Sequence, residues 1–288
     1  MAKTVPEAFG GFATIVQPTA TQWETIRGRG QTAHQYVRDA FANSNMPLAS
    51  TKLIGSAGRR TIIRPLDDID VLAVFHHAQV WDTYRSDSRK FLYRVRDALN
   101  AYRVEVVGAR GQAVRLFYTQ HPHVDIAPVF ARKGGGYLLP NGGGGWLSTN
   151  PDAHATFIGE RDAALGQHLL RIVRFVKRWN NAHSRHLKGF HLELMTQAIF
   201  TSLGQNSREA LQLFFEHAPY HLSIADPSGL GGDVGAYLTA SGRHAILESL
   251  TSAHQHAKAA REREGHGDHD GAIQQWRIVL GDEFPAFG

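Results

Sequence analysis

The chain has 288 residues, of which 42% are hydrophobic and 20% are charged, and its formal net charge is +5. These values are ordinary for a globular protein with one large domain or two modest ones, and they exclude a disordered chain. The absence of cysteine excludes disulfides and cysteine-based zinc sites.

The sequence predicts a protein that does not cross a membrane. No segment approaches the roughly 20 apolar residues of a membrane-spanning helix. The first residues lack the apolar run of a signal peptide. Together with the absence of thiols, these features favour a cytoplasmic location. The mildly basic charge suits anionic ligands such as triphosphates or nucleic acid, without selecting between them.

The first predicted elements are an irregular stretch and a long helix. Residues 1–18 are rich in proline and glycine, which predicts an irregular start. A helix is predicted over residues 19–43, because Thr21 and Glu24 have the spacing of a capping box.

A glycine–serine turn and an acidic strand follow, in the segment GSAGRRTIIRPLDDIDVLAVF that runs from Gly55 to Phe75. Gly55 allows close approach of a ligand to the backbone, and Ser56 offers a hydroxyl and an N–H. In the strand, Asp68 and Asp70 share one face, with Cα atoms about 6.6 Å apart. Two such carboxylates repel unless a cation lies between them, and Mg²⁺ is the common cation beside phosphates.

A helix over residues 79–101 and three short strands are predicted next. The strands cover residues 103–107, 113–118 and 123–130. Residues 110–112 form a connection. Asp125 lies in the third strand, within HVDIAPV, and alternation sets it on the face opposite to its apolar neighbours. If this strand pairs beside the strand of Asp68 and Asp70, the three carboxylates converge.

The pattern changes after about residue 150, where strands stop and helical periodicity begins. The glycine-flanked ribbon over residues 133–145, just before this change, is predicted to be a hairpin or a flexible surface loop. The helices are predicted over residues 151–181, 189–200, 209–217, 234–263 and 269–279. The expected fold is therefore α+β: a mixed-sheet lobe over residues 1–150, a helical lobe over 151–288, and a cleft between them.

Taken together, these motifs resemble the nucleotidyltransferase superfamily named for DNA polymerase beta. Within it, the chain looks like the bacterial CD-NTases, relatives of cyclic GMP–AMP synthase and oligoadenylate synthase. The glycine–serine turn, the Asp-x-Asp strand and the acid in HVDIAPV carry this resemblance. It extends to RFVKRWN, FHLEL, Asp226–Pro227 and WRIVLGDEFP, and thus spans most of the chain.

The resemblance implies a polymerase-beta-like catalytic lobe, braced by the long helix, and an oligoadenylate-synthase-like helical lobe. It implies that Asp68, Asp70 and Asp125 are catalytic and hold two Mg²⁺ ions, with Mn²⁺ as a substitute. The expected enzyme condenses nucleoside triphosphates, ATP or GTP or both, into a cyclic di- or trinucleotide second messenger. Pyrophosphate is the other product.

Nucleotide-binding roles are also predicted from the turn chemistry and the resemblance. The residues are Gly55, Ser56, Arg59, Lys177 and Asp226. Lys177 is chosen because the resembled family has a lysine before Trp-Asn, and the alternative is an exposed lysine on a basic helix. Glu193 has two interpretations, a brace in a polar pair or a ligand contact. Tyr118 and Tyr137 are candidates for stacking on a base.

Two rival functions are left open by the residues. A template-independent RNA or oligoadenylate nucleotidyltransferase shares the three acids but holds an acceptor strand, and the sequence shows only one basic helical side. A non-catalytic nucleotide-binding module is the other rival, which the complete set of acids disfavours.

The resemblance further implies bacterial anti-phage (CBASS) signalling, a regulatory partner protein and a product-activated effector, with no stable nucleic-acid partner.

Overall fold

A mixed sheet followed by a set of helices makes up the fold, in a computed structural model that describes residues 1–107 and 111–288. The helices in these ranges are α1 (Val5–Val16), α2 (Ala20–Ala40), α3 (Gly55–Gly58), α4 (Trp81–Tyr84), α5 (Ser88–Ala98), α6 (Pro151–Ala164), α7 (Leu169–Ala182), α8 (Gly189–Ile199), α9 (Ser207–His217), α10 (Ala240–Gly265) and α11 (His269–Leu280). The strands are β1 (Leu48–Ile54), β2 (Asp68–Phe75), β3 (Val104–Val107), β4 (Ala113–Leu116), β5 (His123–Ala131), β6 (Tyr137–Pro140) and β7 (Trp146–Thr149). The predicted α+β fold is confirmed.

The sheet has the order β1-β2-β5-β4-β3, and the β6–β7 hairpin extends it from β5. Strands β2 and β5 lie side by side at the centre and run parallel, whereas β1 and β4 pair with them antiparallel. The glycine-flanked ribbon is therefore the hairpin that the sequence predicted.

Alternation along β2 gives the two faces of the sheet different roles. Ile69, Val71 and Phe75 are buried in a core that the sheet shares with α2 and α5. Asp68 and Asp70 project from the opposite face. One face of this central strand thus lies in the core, while the other carries the two acids at its start and buries Leu72 and Val74 in a smaller cluster further along.

A second core lies in the helical half and includes the N-terminal helix. Phe12 of α1 is fully buried there, with its ring centroid 5.3 Å from that of Phe175 and 5.2 Å from that of Phe284. The predicted irregular start is wrong, because Thr4 and Glu7 form a capping box that begins α1. Helix α1 therefore packs with the C-terminal half of the chain, although it precedes the sheet in sequence.

Other predicted helix boundaries also differ from the structure. The capping box of α2 uses Thr19 and Gln22 rather than Thr21 and Glu24. The predicted helix over 151–181 is split into α6 and α7, because Gly166 and Gln167 adopt φ values of +67° and +63°.

Two further differences concern the length of helices. The predicted helix over 79–101 is split into α4 and α5, and the predicted helix over 234–263 begins only at α10. Part of the predicted connection at 110–112 lies outside the described residues. Across the described ranges, no helix is both long enough and apolar enough to span a bilayer.

The buried contacts of α1 generate a stability prediction. Phe12→Ala should lower the free energy of unfolding by about 3–5 kcal/mol, because it removes a fully buried ring and leaves a cavity among aromatic neighbours. Tyr220→Ala is the control, since this side chain is 82% exposed and its loss should cost about 0.5 kcal/mol or less. Denaturant unfolding measures both, and equal effects would show that α1 is not part of the helical core.

Candidate active site

Three carboxylates from two neighbouring strands lie on one face of the sheet. Strands β2 and β5 are in register so that Asp70 is directly opposite Asp125 and Asp68 is opposite His123. Side chains alternate along each strand, so Asp68, Asp70 and Asp125 all project from the face away from α2 and α5. The predicted convergence of the three acids is confirmed.

Crowding of these acids changes their protonation. Burial raises the pKa of Asp70 to about 6, and the nearby charges of Asp68 and Asp125 act in the same direction. The pKa of Asp68 is also raised, first by burial and then by Asp125. The site therefore holds more negative charge than it stabilises by itself.

Arg115 of β4 supplies a positive charge among the acids. It lies directly opposite Asp125 in the antiparallel β4–β5 pair. Its Nε and Nη2 donate to the two oxygens of Asp125 at 2.6 and 2.8 Å, and Nη2 also donates to Asp68 at 2.5 Å. These contacts raise the pKa of Arg115, so the guanidinium is a fixed cation in this site.

The same residues fit a divalent metal ion in their chemistry. Carboxylate oxygens are the ligands of Mg²⁺, and a cation already stands between two of these acids. In the described part of the chain, no three acidic or histidine side chains form a ready ligand set. Arg115 engages both oxygens of Asp125 and one of Asp68.

The glycine–serine turn faces the acids. Gly55 begins α3 with a φ of +58°, and a Cβ at this position would lie 1.8 Å from Oδ2 of Asp70. Only glycine therefore fits here. The turn is closed by the backbone, since the N–H groups of Thr61 and Ile62 donate to the carbonyl oxygen of Ser56 at 2.8 and 3.0 Å. Gly55 and Ser56 are thus held beside Asp70.

Lys177 and Arg59 are engaged by Glu193, a fully buried acid on α8. Lys177 Nζ lies 2.6 Å from Glu193 Oε1, and Arg59 Nε lies 2.6 Å from Oε2. Lys177 is buried, so its interpretation as an exposed lysine is wrong. The interpretation of Glu193 as a brace in a polar pair is confirmed. The predicted contact of Lys177 and Arg59 with a triphosphate stays a prediction, because in this structure both cations face Glu193.

Asp226 is held in a tight loop of the helical half. Its Oδ1 accepts hydrogen bonds from His154 Nε2 at 2.8 Å and from the Ser228 N–H at 2.7 Å. These hydrogen bonds lower the pKa of Asp226, against the opposing effect of burial. The predicted contact of Asp226 with nucleotide stays a prediction, and in this structure the carboxylate organises its own loop.

The two tyrosines proposed to stack on a base lie in different surroundings. Tyr118 packs against the core shared with α2 and α5, with the Arg29 guanidinium 3.8 Å from its ring centroid. Tyr137 lies on the side of the acids, and its hydroxyl is hydrogen-bonded to Lys52 and Asp152 at 2.7 and 2.8 Å. Of the two, Tyr137 is the one on the face that carries the acids.

Sequence reasoning missed two residues of this region. Arg115 alternates with the buried Val114 and Leu116, so the pattern indicated a residue facing away from the core. Its partner depends on the register between β4 and β5, which the sequence does not reveal. Thr61 gave no signal beyond its place between the turn and the strand, yet it is fully buried next to Glu193.

Comparison with known sequences identifies a family and a relative. The profile of the Second Messenger Oligonucleotide or Dinucleotide Synthetase domain matches residues 3–161, which is more than half of the chain. A cyclic AMP-AMP-AMP synthase from an Acinetobacter species is 28% identical over 312 aligned positions, spanning 98% of this chain and 86% of the relative.

Comparison with solved structures shows the same fold in two bacterial proteins. Escherichia coli MS115-1 CdnC, in a complex with HORMA-deltaN, superimposes with a TM-score of 0.79 at 20% identity, covering 97% of this chain and 98% of CdnC. Vibrio cholerae DncV, a cyclic AMP-GMP synthase bound to the linear intermediate pppA(3′,5′)pG, gives 0.77 at 12% identity, covering 97% and 94%. Both likenesses establish the fold.

The raised pKa of Asp70 predicts a pH-dependent effect on stability in metal-free protein. The folded pKa of about 6 exceeds the unfolded value of 3.8, so the contribution of protonated Asp70 is complete below 3.8 and is lost as the pH rises through 6. Asp70→Asn is neutral at every pH. It should therefore stabilise the fold at about pH 8, by at most about 3 kcal/mol, with little effect near pH 4.

Urea unfolding of both proteins in EDTA at these two pH values measures the difference. Asp67→Asn is the control for removal of one acid, because the Asp67 side chain is 70% exposed. If the gain in free energy of unfolding from Asp70→Asn is no larger at pH 8 than at pH 4, the pKa of Asp70 is not raised in the folded protein.

Proposed function

This chain belongs to the Second Messenger Oligonucleotide or Dinucleotide Synthetase family, and from that premise we propose that it makes a small cyclic oligonucleotide. It is a nucleotidyltransferase that condenses nucleoside triphosphates, ATP or GTP or both, with release of pyrophosphate. The observation that carries the proposal is the register of β2 and β5, which brings three acids to one face beside the Gly55–Ser56 turn. The relative that makes cyclic AMP-AMP-AMP supports the class of product.

The acids have the central role in this proposal. Asp68, Asp70 and Asp125 would hold two Mg²⁺ ions, or Mn²⁺ in their place. When bound, these ions lower the pKa of the attacking ribose hydroxyl and neutralise charge on the α-phosphate and the leaving pyrophosphate. The parallel strands fix the carboxylates before substrate arrives, so little reorganisation is needed at the moment of reaction.

The turn and the cations around it would bind the triphosphate. Gly55 allows the Asp70 carboxylate to lie against the backbone of the turn, and Ser56 would offer its hydroxyl and N–H to phosphate oxygens. Lys177 and Arg59 lie close behind this turn, and their charges favour an anion in front of it. Asp226 is proposed to line the nucleotide site through its loop.

The architecture is proposed to work as two lobes with the substrate between them. Residues 1–150 form the catalytic lobe and residues 151–288 the helical lobe, with α1 packed into the latter. Contacts between α3 and α8 join the lobes at the turn.

The biological setting is also a proposal. A regulatory partner protein is supported by the fold shared with CdnC, which was solved in complex with HORMA-deltaN. A cyclic product implies an effector that the product activates, in cytoplasmic anti-phage (CBASS) signalling. These steps follow from the family and not from a particular residue of this chain.

A product assay tests the proposed function. Incubation with the four nucleoside triphosphates and Mg²⁺ should yield pyrophosphate and a small product that resists phosphatase, identified by mass spectrometry. Asp70→Asn should reduce the yield to below about 1% of wild type while the protein stays folded, because an acid of the metal site is lost. A phosphatase-sensitive ladder of products would instead indicate a template-independent polymerase. Absence of any product with added partner proteins would favour a non-catalytic module.

Arg115 generates a separate prediction about metal affinity. Because its guanidinium binds Asp68 and Asp125, it competes with a metal ion for the same oxygens. Arg115→Met should therefore bind Mn²⁺ about tenfold more tightly than wild type when no nucleotide is present. Calorimetric titration gives the affinities, and Arg89→Met, which removes an exposed partner of Asp87, is the control. Equal or weaker Mn²⁺ binding by Arg115→Met would refute the competition.

A further inference from the structure

A buried group of charged side chains joins the helical half to the glycine–serine turn. We name it the Glu193 cluster and define it by Arg59, Thr61, Lys177 and Glu193. The Glu193 carboxylate is completely buried. It accepts hydrogen bonds from Arg59 Nε at 2.6 Å and Nη2 at 3.2 Å, from Lys177 Nζ at 2.6 Å and from Thr61 Oγ1 at 2.7 Å. Four donor groups from three residues thus converge on one acid.

The charges of the Glu193 cluster do not balance. Arg59 and Lys177 both face one carboxylate, so the cluster carries one positive charge in excess when both are protonated. Burial lowers the pKa of Lys177, and Glu193 opposes that shift. Burial by itself would raise the pKa of Glu193, but Lys177 and Arg59 outweigh it, and the pKa falls to about 2. The acid is therefore ionised at any physiological pH. Excess buried charge is costly without a counter-ion, so the cluster favours an anion nearby.

The Glu193 cluster is connected to the turn through the backbone. Lys177 Nζ donates to the Thr61 carbonyl oxygen at 3.1 Å, and the Thr61 N–H donates to the Ser56 carbonyl oxygen at 2.8 Å. On the other side, the Arg59 N–H donates to the Gly55 carbonyl oxygen at 3.1 Å. Both ends of the turn are therefore attached to residues that Glu193 holds.

The Glu193 cluster is also connected to the acids of the active site through Gly55. The Arg59 N–H donates to the Gly55 carbonyl oxygen, and a Cβ on Gly55 would lie 1.8 Å from Oδ2 of Asp70. The cluster is therefore separated from the acids only by the backbone of the turn.

We propose that Glu193 is a positioning residue for triphosphate binding. Together with Thr61, it fixes the turn against α7 and α8, and it holds Lys177 and Arg59 so that their excess charge is offset by the phosphates. This inference rests on the proposed function, since that function supplies the triphosphate. It adds Glu193 and Thr61, which do not contact the reacting atoms, to the residues on which substrate affinity depends.

A purely structural role makes a different prediction. If the Glu193 cluster only joins two halves of the protein, its disruption lowers stability and leaves nucleotide affinity per folded molecule unchanged. If it positions the turn, a variant that stays folded loses affinity. The Thr61 hydroxyl separates these cases, because Thr61→Val keeps the shape of the side chain and removes the hydrogen bonds that the hydroxyl makes with Glu193 and Lys177. Thr61→Ser retains the hydroxyl and is the conservative rescue.

The experiment measures binding of a non-hydrolysable ATP analogue and of a GTP analogue with Mg²⁺ by calorimetry, using full-length protein whose folding is checked by thermal unfolding. We expect Glu193→Gln and Thr61→Val to weaken binding of at least one analogue by about tenfold, a loss typical of one charged hydrogen bond. Thr61→Ser should stay within about threefold of wild type. In steady-state kinetics, the KM for nucleotide should rise by about the same factor, with a smaller change in kcat.

Glu264→Gln is the matched control, since it removes the acid of the Arg208–Glu264 pair, which joins α9 to α10 at 2.9 Å away from the turn. It should keep wild-type affinity. If Glu193→Gln does not fold, Thr61→Val against Thr61→Ser decides the case.

The outcomes separate this inference from the function on which it rests. Wild-type affinity in folded Glu193→Gln and Thr61→Val would overturn the inference, even if the enzyme makes its product. A wild-type protein that binds an analogue but yields no cyclic product would overturn the proposed function while the affinities still test Glu193. Failure of the wild type to bind either analogue would overturn both.

Discussion

Electrostatic repulsion among three carboxylates is the constraint around which this structure is organised. The parallel register of β2 and β5 fixes Asp70 opposite Asp125, so the acids cannot separate without breaking the centre of the sheet. A cation must therefore accompany them, and in this structure Arg115 meets that need for Asp68 and Asp125. Asp70 has no such partner among its described contacts, and burial, with the charges of Asp68 and Asp125 acting in the same direction, raises its pKa to about 6. The sheet thus places negative charge where the proposed metal ions would bind together with a triphosphate.

An excess of positive charge lies on the other side of the glycine–serine turn. There the Glu193 cluster holds two cations on one acid, inside the interface between the sheet and the helices. An excess of negative charge and an excess of positive charge are therefore separated by a few residues of backbone at Gly55 and Ser56. A triphosphate accompanied by a metal ion carries both signs of charge, so it would complement both sides.

Part of the acidic centre could be predicted from local sequence, because strand alternation places Asp68 and Asp70 on one face. Asp125 was predicted from the resemblance to a family with a third acid, since its position beside Asp70 depends on the long-range pairing of β2 and β5. The cations were harder, because their partners lie far away in sequence. The contacts of Arg115 depend on the register between β4 and β5. The buried Lys177 pairs with Glu193, which lies sixteen residues later on another helix. The pattern of charged residues alone could not distinguish this buried lysine from an exposed one.

Helix boundaries show the same division between local and long-range information. The N-terminal helix was not predicted, although Thr4 and Glu7 have the spacing of its capping box. The nearby proline and glycine residues are typical of irregular segments and favoured the wrong prediction. The break between α6 and α7 depends on two consecutive residues with positive φ, and Gln167 gives no sign of this in the sequence. That α1 packs into the helical core follows only from tertiary contacts.

The most direct test of this account is a crystal structure with Mn²⁺ and a non-hydrolysable nucleoside triphosphate. The account predicts anomalous scattering from Mn²⁺ among Asp68, Asp70 and Asp125, with Arg115 displaced from at least one carboxylate and the phosphates against Gly55 and Ser56. Mn²⁺ and triphosphate bound elsewhere, with Arg115 still on Asp68 and Asp125, would contradict it.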